Sequence, residues 1–524
     1  MKSVILSILI VFSLPICLAQ TDTSLTSNII KLDPVNIETH RFSKYSGSAA
    51  NMSIVNFQSL PLNANEALEK ISPAFIKNYG PGSLSTISLR GTGASHTAML
   101  WEGFSIISPL NSTADLSLIP ISLFDIVQLE LGNSTSLTGS GATGGTLHLQ
   151  SKANLNQGEI FSQVRFTGAS FHQNDILAAY AINSKKFKHQ LKYNYQSARN
   201  NFKLLTLNNQ RQNNARSEIH NLTGQFSYQI NPSNNIEYSV WVTSSNRQLS
   251  PSLLSSKSLA SQQDQSLRNV LSWNHTSNNW GIKIRTALFE DKLRYINPLT
   301  ETDDVSGSLQ SINEIEFRRQ FQSSHEINVS GSFQYIKGTA PAYSTLKSQW
   351  RGAVFASYKW SPKVIPLSCV ANIRFEQINK FTSPFIASAS IQYQPVKYIR
   401  FSVKGGRTYR YPGFNDLFWT PGGNPNLLPE KGWTFESGAD LTVKKKFWYG
   451  RLNTVIHGQK VNNWIIWLPG DTYWSPQNIR NVFSRGLEVY LENKFVFKNV
   501  QVSANITYTY TRSTWEKSYL ENDT

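Results

Sequence analysis

The chain is 524 residues long, with 16% charged and 40% hydrophobic residues and a mean hydropathy of −0.31. Outside its first residues no stretch approaches the ~20 consecutive apolar residues that a membrane helix requires, so a water-soluble fold or a β-barrel remains. The aromatic share of 12% favours the barrel, whose rims collect such rings, and the formal net charge of +17 suits anionic lipid headgroups or a funnel for an anionic substrate.

Residues 1–19 read as an export signal: Lys2 precedes an apolar core from Val4 to Leu14, and Ala19 stands at the expected cleavage point. Cys17 raises a lipoprotein alternative, which the bulk of Ile16 before it disfavours. An exported chain rarely meets nucleic acid, so none is expected as a partner. Cleavage leaves Cys369 without a disulfide partner; within the strand-like run Leu367–Ala371 it reads as a small packing residue.

After an N-terminal segment, residues 20–45, comes a small mixed α+β domain, residues 46–150. Asn65–Ile71 is predicted helical, with Ala67, Leu68 and Ile71 on one face and a stop at Ser72-Pro73. Short apolar strands and many glycines follow. The glycine-rich run 139–145 lacks the Lys-Ser/Thr that a phosphate-binding loop needs after it, so close strand packing and tight turns explain it better. None of the nine histidines stands at metal-ligand spacing, and His96 and His148 read as packing or surface residues. Neither a metal, a cofactor nor a catalytic constellation is expected.

From Gln150 onward the grammar is period two. Leu222, Phe226, Tyr228 and Ile230 alternate with Thr223, Gln225, Ser227 and Gln229; the turn Asn231-Pro232-Ser233-Asn234 follows, and Ile236, Tyr238, Val240 and Val242 resume the apolar face. The pattern recurs at Leu191–Tyr195, Ile399–Val403 and Gln501–Tyr510. Short turns alternate with long polar stretches such as 200–216 and 250–265, the asymmetry of a membrane barrel. Residues 151–524 therefore read as a transmembrane antiparallel β-barrel of about seventeen strands, each of the ~10 residues that cross a bilayer when tilted. A soluble all-β domain would need the same hairpins repeated far beyond its usual size.

Several motifs in order carry a resemblance. Ile76–Gly80 leads to Ser85–His96, which contains Leu89-Arg90-Gly91-Thr92-Gly93-Ala94-Ser95-His96; then come Met99–Gly103, Asp115–Pro120 and Val127–Leu149 with Gly139, Gly144 and Gly145. Further on stand Tyr411–Trp419, Asn424–Glu430 with Trp433 and Glu436, and Asn478–Glu488. Together they resemble the TonB-dependent outer-membrane receptors, and the segment from Arg90 to His96 is similar to their cobalamin-receptor subgroup.

The resemblance implies a plug domain inside the lumen of a barrel whose family members have 22 strands. It implies a Ton box at Asp33, Pro34, Val35, Asn36, Ile37, Glu38 and Thr39, where an extended segment adds as a strand to TonB; a plain linker is the other reading, since Pro34 removes a donor. Arg90 is expected to latch the plug to Glu436 and Glu488, against the alternative of a solvated arginine, while Leu89, Gly91, Gly103, Gly139, Gly144 and Gly145 form the plug motifs. A second latch arginine is missing, because Leu131-Gly132-Asn133 stands where the family has Arg-Gly-Pro.

The implied function is energised uptake of a bulky metal complex, cobalamin or a related corrinoid, across the outer membrane of a Gram-negative bacterium. Implied partners are TonB with its inner-membrane energising complex, outer-membrane lipid and lipopolysaccharide, around a monomeric barrel. A ferric siderophore or other metal chelate is the alternative, and a non-energised pore or adhesin a second. The stretch 198–217 contains no Asp, so the calcium found on the corresponding loop of well-known cobalamin receptors is not expected. The polar C-terminus, Glu516–Thr524, carries no closing strand, so the barrel is expected to be incomplete and its sheet open.

Overall fold

A computed structural model describes residues 44–49, 51–53, 64–80, 83–152, 155–205, 210–251, 257–379, 381–497 and 500–515. The export signal, Cys17 and the segment 33–39 lie outside these. Among the described residues no helix is long and apolar enough to cross a membrane.

Helix α1 (Ala64–Ile71) lies within one residue of the predicted span. Ala67 and Leu68 are fully buried, and the Ser72 amide and hydroxyl both donate to Leu68 O, closing the last turn before Pro73. Strands β1 (Asn51–Ser53), β4 (Thr97–Trp101), β5 (Phe104–Ser105), β6 (Ile126–Leu131) and β7 (Gly145–Gln150) form one sheet in the order β1-β6-β7-β4-β5, with β4 and β7 parallel. Strands β2 (Phe75–Asn78) and β3 (Ser85–Ser88) make a separate hairpin. Every residue of β4 and β7 is buried, which explains why these strands read as apolar runs and not as alternations.

The second unit is a ring in which strands adjacent along the chain pair antiparallel. It runs through β8 (Ile160–Ala169), β9 (Gln173–Asn183), β10 (Phe187–Ala198), β11 (Ser217–Asn231), β12 (Asn234–Gln248) and β13 (Ser261–Thr276). Next come β14 (Trp280–Asn297), β15 (Thr302–Phe321), β16 (His325–Thr339), β17 (Lys347–Trp360), β18 (Leu367–Ile378) and β19 (Phe381–Thr382). The last are β20 (Ile386–Val396), β21 (Ile399–Arg410), β22 (Glu430–Lys445), β23 (Trp448–Pro469), β24 (Trp474–Phe497) and β25 (Val500–Trp515). Both β19 and β20 pair with β18 and are separated only by Ser383-Pro384-Phe385, so they make one crossing interrupted where proline cannot donate. Among the described residues this makes seventeen crossings, in keeping with the about seventeen read from the sequence.

Alternation sorts the wall as expected. Outward residues such as Leu271, Ile315, Phe333 and Val354 are exposed, whereas inward Ser239, Thr243, Asn328 and Ser357 are buried. One rim carries turns as short as 232–233 and 397–398; the other carries the connections 199–216, 249–260 and 411–429. At the short-turn rim the rings of His275 and Trp280 lie 4.8 Å apart, and Trp280 and Phe317 6.4 Å, part of an aromatic girdle.

Two expectations need correction. The stretch 250–265 is not wholly loop, because β13 starts at Ser261; its first turns extend beyond the apolar band and therefore carry polar residues on both faces. The strand order is also that of a closed ring, where the sequence predicts an open sheet. Barrel diameter falls with strand number, so seventeen crossings curl round a smaller circumference than 22. At the seam β25 lies beside β8, the two running in the same direction because the number of crossings is odd, and Val500–Tyr510 of β25 is exposed on both faces.

Candidate functional site

The plug motif residues converge where β3 ends. Arg90 and Gly91 both take left-handed backbone angles, φ 52° and 73°, and the turn is closed by the Thr92 amide and hydroxyl donating to Leu89 O. This turn projects the Arg90 side chain across the lumen. Its Nε and Nη2 donate to the two oxygens of Glu488, each at 2.9 Å, and its Nη1 to Glu436 Oε2 at 2.5 Å. The Arg90 carbonyl accepts from Gln459 Nε2 at 3.0 Å. All three charged side chains are almost fully buried. Burial disfavours the Arg90 charge, but Glu488 and then Glu436 outweigh it and hold the guanidinium above its ordinary range.

The neighbouring glycines are fixed by closeness. A Cβ on Gly144 would stand 2.5 Å from Thr92 Oγ1 and 2.9 Å from Leu89 O, so only glycine lets this strand approach the Arg90 turn. Gly132 lies against the Arg90–Glu436 pair itself. Gly139 caps helix α2 (Thr135–Thr138), Gly103 turns the β4–β5 hairpin, and Leu89 is fully buried. In place of the absent plug arginine, barrel residue Lys404, opposite Glu436 in register, reaches Glu130 of β6 at 3.5 Å. The extra positive charge thus comes from the wall.

Sequence reasoning missed other plug–barrel pairs. His96, read as packing or surface, is buried; its Nε2 lies 2.5 Å from Glu430 Oε2 and its ring stacks on Trp464 with centroids 4.2 Å apart. Glu430 also binds Arg410 at 2.7 Å. Asp115, which accepts the Ser117 amide at the start of a 3-10 turn, pairs with Arg247 at 2.7 Å, and Asp125 with Lys192 at 2.5 Å. No local pattern announces such pairs, since each joins residues far apart in sequence; Glu430 and Asp115 could have been suspected only from their places in the motifs.

The interface is asymmetric. Toward β12–β15 the plug is joined by rings as well as by Arg247 on Asp115 and Arg285 on the Glu102 carbonyl: Trp101 and Phe124 pack on Trp241 at 5.8 and 5.2 Å, and Trp101 and Phe104 on Phe289 at 6.1 and 6.5 Å. Toward β20–β24 polar contacts predominate, namely the Arg90 cluster, Thr135 and Thr143 on Thr408, and Ser136 on Ser388, beside the His96–Trp464 stack and the buried Val455.

The start of the described chain reaches the same cluster. The Ala49 amide donates to Glu436 Oε1 at 2.9 Å, Ser48 Oγ donates to Leu131 O at 2.8 Å, and Lys44 pairs with Glu326 at 2.5 Å. The Ala49 amide and the Arg90 guanidinium thus share one carboxylate, Glu436.

Comparison with known proteins agrees with this geometry. The family described as TonB dependent receptor-like, beta-barrel matches residues 132–524, and the TonB-dependent Receptor Plug Domain matches residues 48–146. The chain is similar to the vitamin B12 transporter BtuB of Vibrio vulnificus (strain YJ016), 23% identical over 485 residues, 87% of this chain and 75% of that one. The protein of that name from Photobacterium profundum is 20% identical over 81% of this chain and 69% of its own length. Among solved structures, the siderophore receptor PirA from Acinetobacter baumannii aligns with TM-score 0.73 and 12% identity over 92% of this chain and 83% of its own. The FrpB iron transporter from Neisseria meningitidis (F3-3 variant) aligns with TM-score 0.75 and 11% identity, over 90% and 80%.

Proposed function

Because this chain belongs to the TonB-dependent receptors, Gram-negative outer-membrane transporters that work with TonB on a small-molecule ligand and are not enzymes, we propose that its cargo is cobalamin or a related corrinoid. The observation that carries this reading is the similarity, along most of the chain, to proteins named vitamin B12 transporters. The motif from Arg90 to His96, resembling that subgroup, adds to it. A ferric siderophore or other metal chelate is the second reading, favoured by solved neighbours whose names are siderophore and iron receptors.

In this proposal residues 1–19 direct export, and a monomeric barrel sits in outer-membrane lipid and lipopolysaccharide. External loops and plug apices capture the cargo. Residues Asp33–Thr39 then add as a strand to TonB, whose inner-membrane complex supplies the pull. Tension reaches residues 44–49 first and draws the Ala49 amide from Glu436, which loosens the carboxylate pair around Arg90 and frees the plug to rearrange. Arg90, Glu436 and Glu488 act as the latch.

Uptake of labelled cobalamin by cells with and without the gene, with a labelled ferric siderophore in parallel, tests the reading. Cobalamin uptake is expected to vanish on deletion and again when Val35 and Ile37 are both replaced by proline. Intact cobalamin uptake with reduced iron uptake would discard the corrinoid and retain the chelate.

A further inference from the structure

Between the plug and the wall formed by β15–β18, in the half of the lumen toward the long loops, lies a cavity of about 150 Å³. Most charges that line it are already matched. Arg374 binds Glu376 at 2.9 Å, Arg410 binds Glu430 at 2.7 Å, and Glu314 is held by Arg285. Arg351 differs. Its Nε donates to the neutral amide of Gln349 at 2.7 Å, and among the described residues no carboxylate comes within 4.0 Å of its guanidinium. Its two Nη nitrogens have no protein partner there.

Above the cavity, helix α3 (Phe414–Phe418) of the loop 411–429 folds down onto the plug. The Phe414 amide donates to Pro109 O at 3.0 Å, and Phe414 packs with Ile336, Tyr343 and Leu110 in an apolar cluster. Arg351 is half-buried and lines this cavity beside the matched Arg374–Glu376 pair, its own hydrogen bond going to a neutral amide. A guanidinium presents paired donors that match two oxygens of one anionic group.

We propose that Arg351 is a docking point for an anionic oxygen group of the cargo, a phosphodiester, carboxylate or catecholate, as the cargo passes between the loops and the plug edge. The cavity is far below the roughly 300–1,000 Å³ of whole-ligand pockets, so it takes that group and not the whole molecule. The identity of the cargo rests on the uptake reading; the anion site itself does not.

Calorimetric titration of the full receptor in detergent with inorganic pyrophosphate tests the site directly. Binding is expected, weakened at least about tenfold by Arg351→Gln and less by Arg351→Lys, with the heat-modified gel mobility of the barrel unchanged in both. No binding, or binding indifferent to Arg351→Gln, overturns the proposal. Cyanocobalamin weakened by Arg351→Gln while dicyanocobinamide, which lacks the nucleotide phosphodiester, is unaffected supports the site and identifies the phosphodiester. If the wild type binds pyrophosphate and a ferric tris-catecholate but no cyanocobalamin, and Arg351→Gln weakens the catecholate, the site stands and the corrinoid reading falls.

Discussion

Arg90 sits between two carboxylates where water is almost excluded, so its removal leaves two buried charges without a partner. Arg90→Ala is expected to destabilise plug docking by about 3–5 kcal/mol, read as faster hydrogen exchange in residues 85–101, while Arg90→Lys retains part of the protection. Glu102, at the turn after β4, is a second sensitive residue: burial pushes its carboxyl up to about 7. A carboxyl raised in the folded state contributes stability below its unfolded value of 4.5 and loses it as pH rises through about 7. Glu102→Gln is therefore expected to leave plug protection unchanged at pH 4 and to increase it at pH 8, by an amount on the order of 3 kcal/mol. A pH-independent difference between the two proteins would remove this role. At this scale the sequence was legible only where a motif fixed a position. Arg90, Glu436 and Glu488 could be named together, whereas His96 with Glu430, and Lys404 with Glu130, depend on which strands face which plug turn.

Elements were more legible than contacts, because alternation is a local property. The hairpin β11–β12, its two-residue turn and helix α1 follow directly from residue order. Strands buried on both faces, β4 and β7, have no alternation to read, and their order in the sheet is set by burial inside the barrel. Gly144 shows how tightly these elements meet. Gly144→Ala places a methyl against Thr92 Oγ1 and Leu89 O and is expected to cost about 1–3 kcal/mol. Trypsin applied to purified receptor should then cleave the plug sooner than in the wild type, while the barrel fragment persists; unchanged cleavage would show that the Arg90 turn yields without cost.

For the whole molecule, the membrane divides the wall into two environments that composition alone cannot assign residue by residue. Val354, in the middle of β17, faces outward and is 59% exposed, whereas Leu205, 85% exposed, lies in the connection 199–216. Val354→Arg is expected to cost about 2–4 kcal/mol and lower the amount of assembled barrel in outer-membrane fractions, while Leu205→Arg leaves assembly unchanged. Seventeen crossings were countable from the sequence; ring closure was not, because it depends on curvature summed over every hairpin. The side of the plug richer in rings and the side richer in ion pairs, finally, respond differently to mechanical load. Ion pairs lose most of their attraction within a short separation once water enters between them, whereas stacked rings keep contact while they slide. Tension on the N-terminal segment would thus peel the plug from β20–β24 and let it swing on the Trp101–Trp241 side like a door on its hinge. A disulfide across the polar side should stop transport, and one beside Trp241 should leave it running.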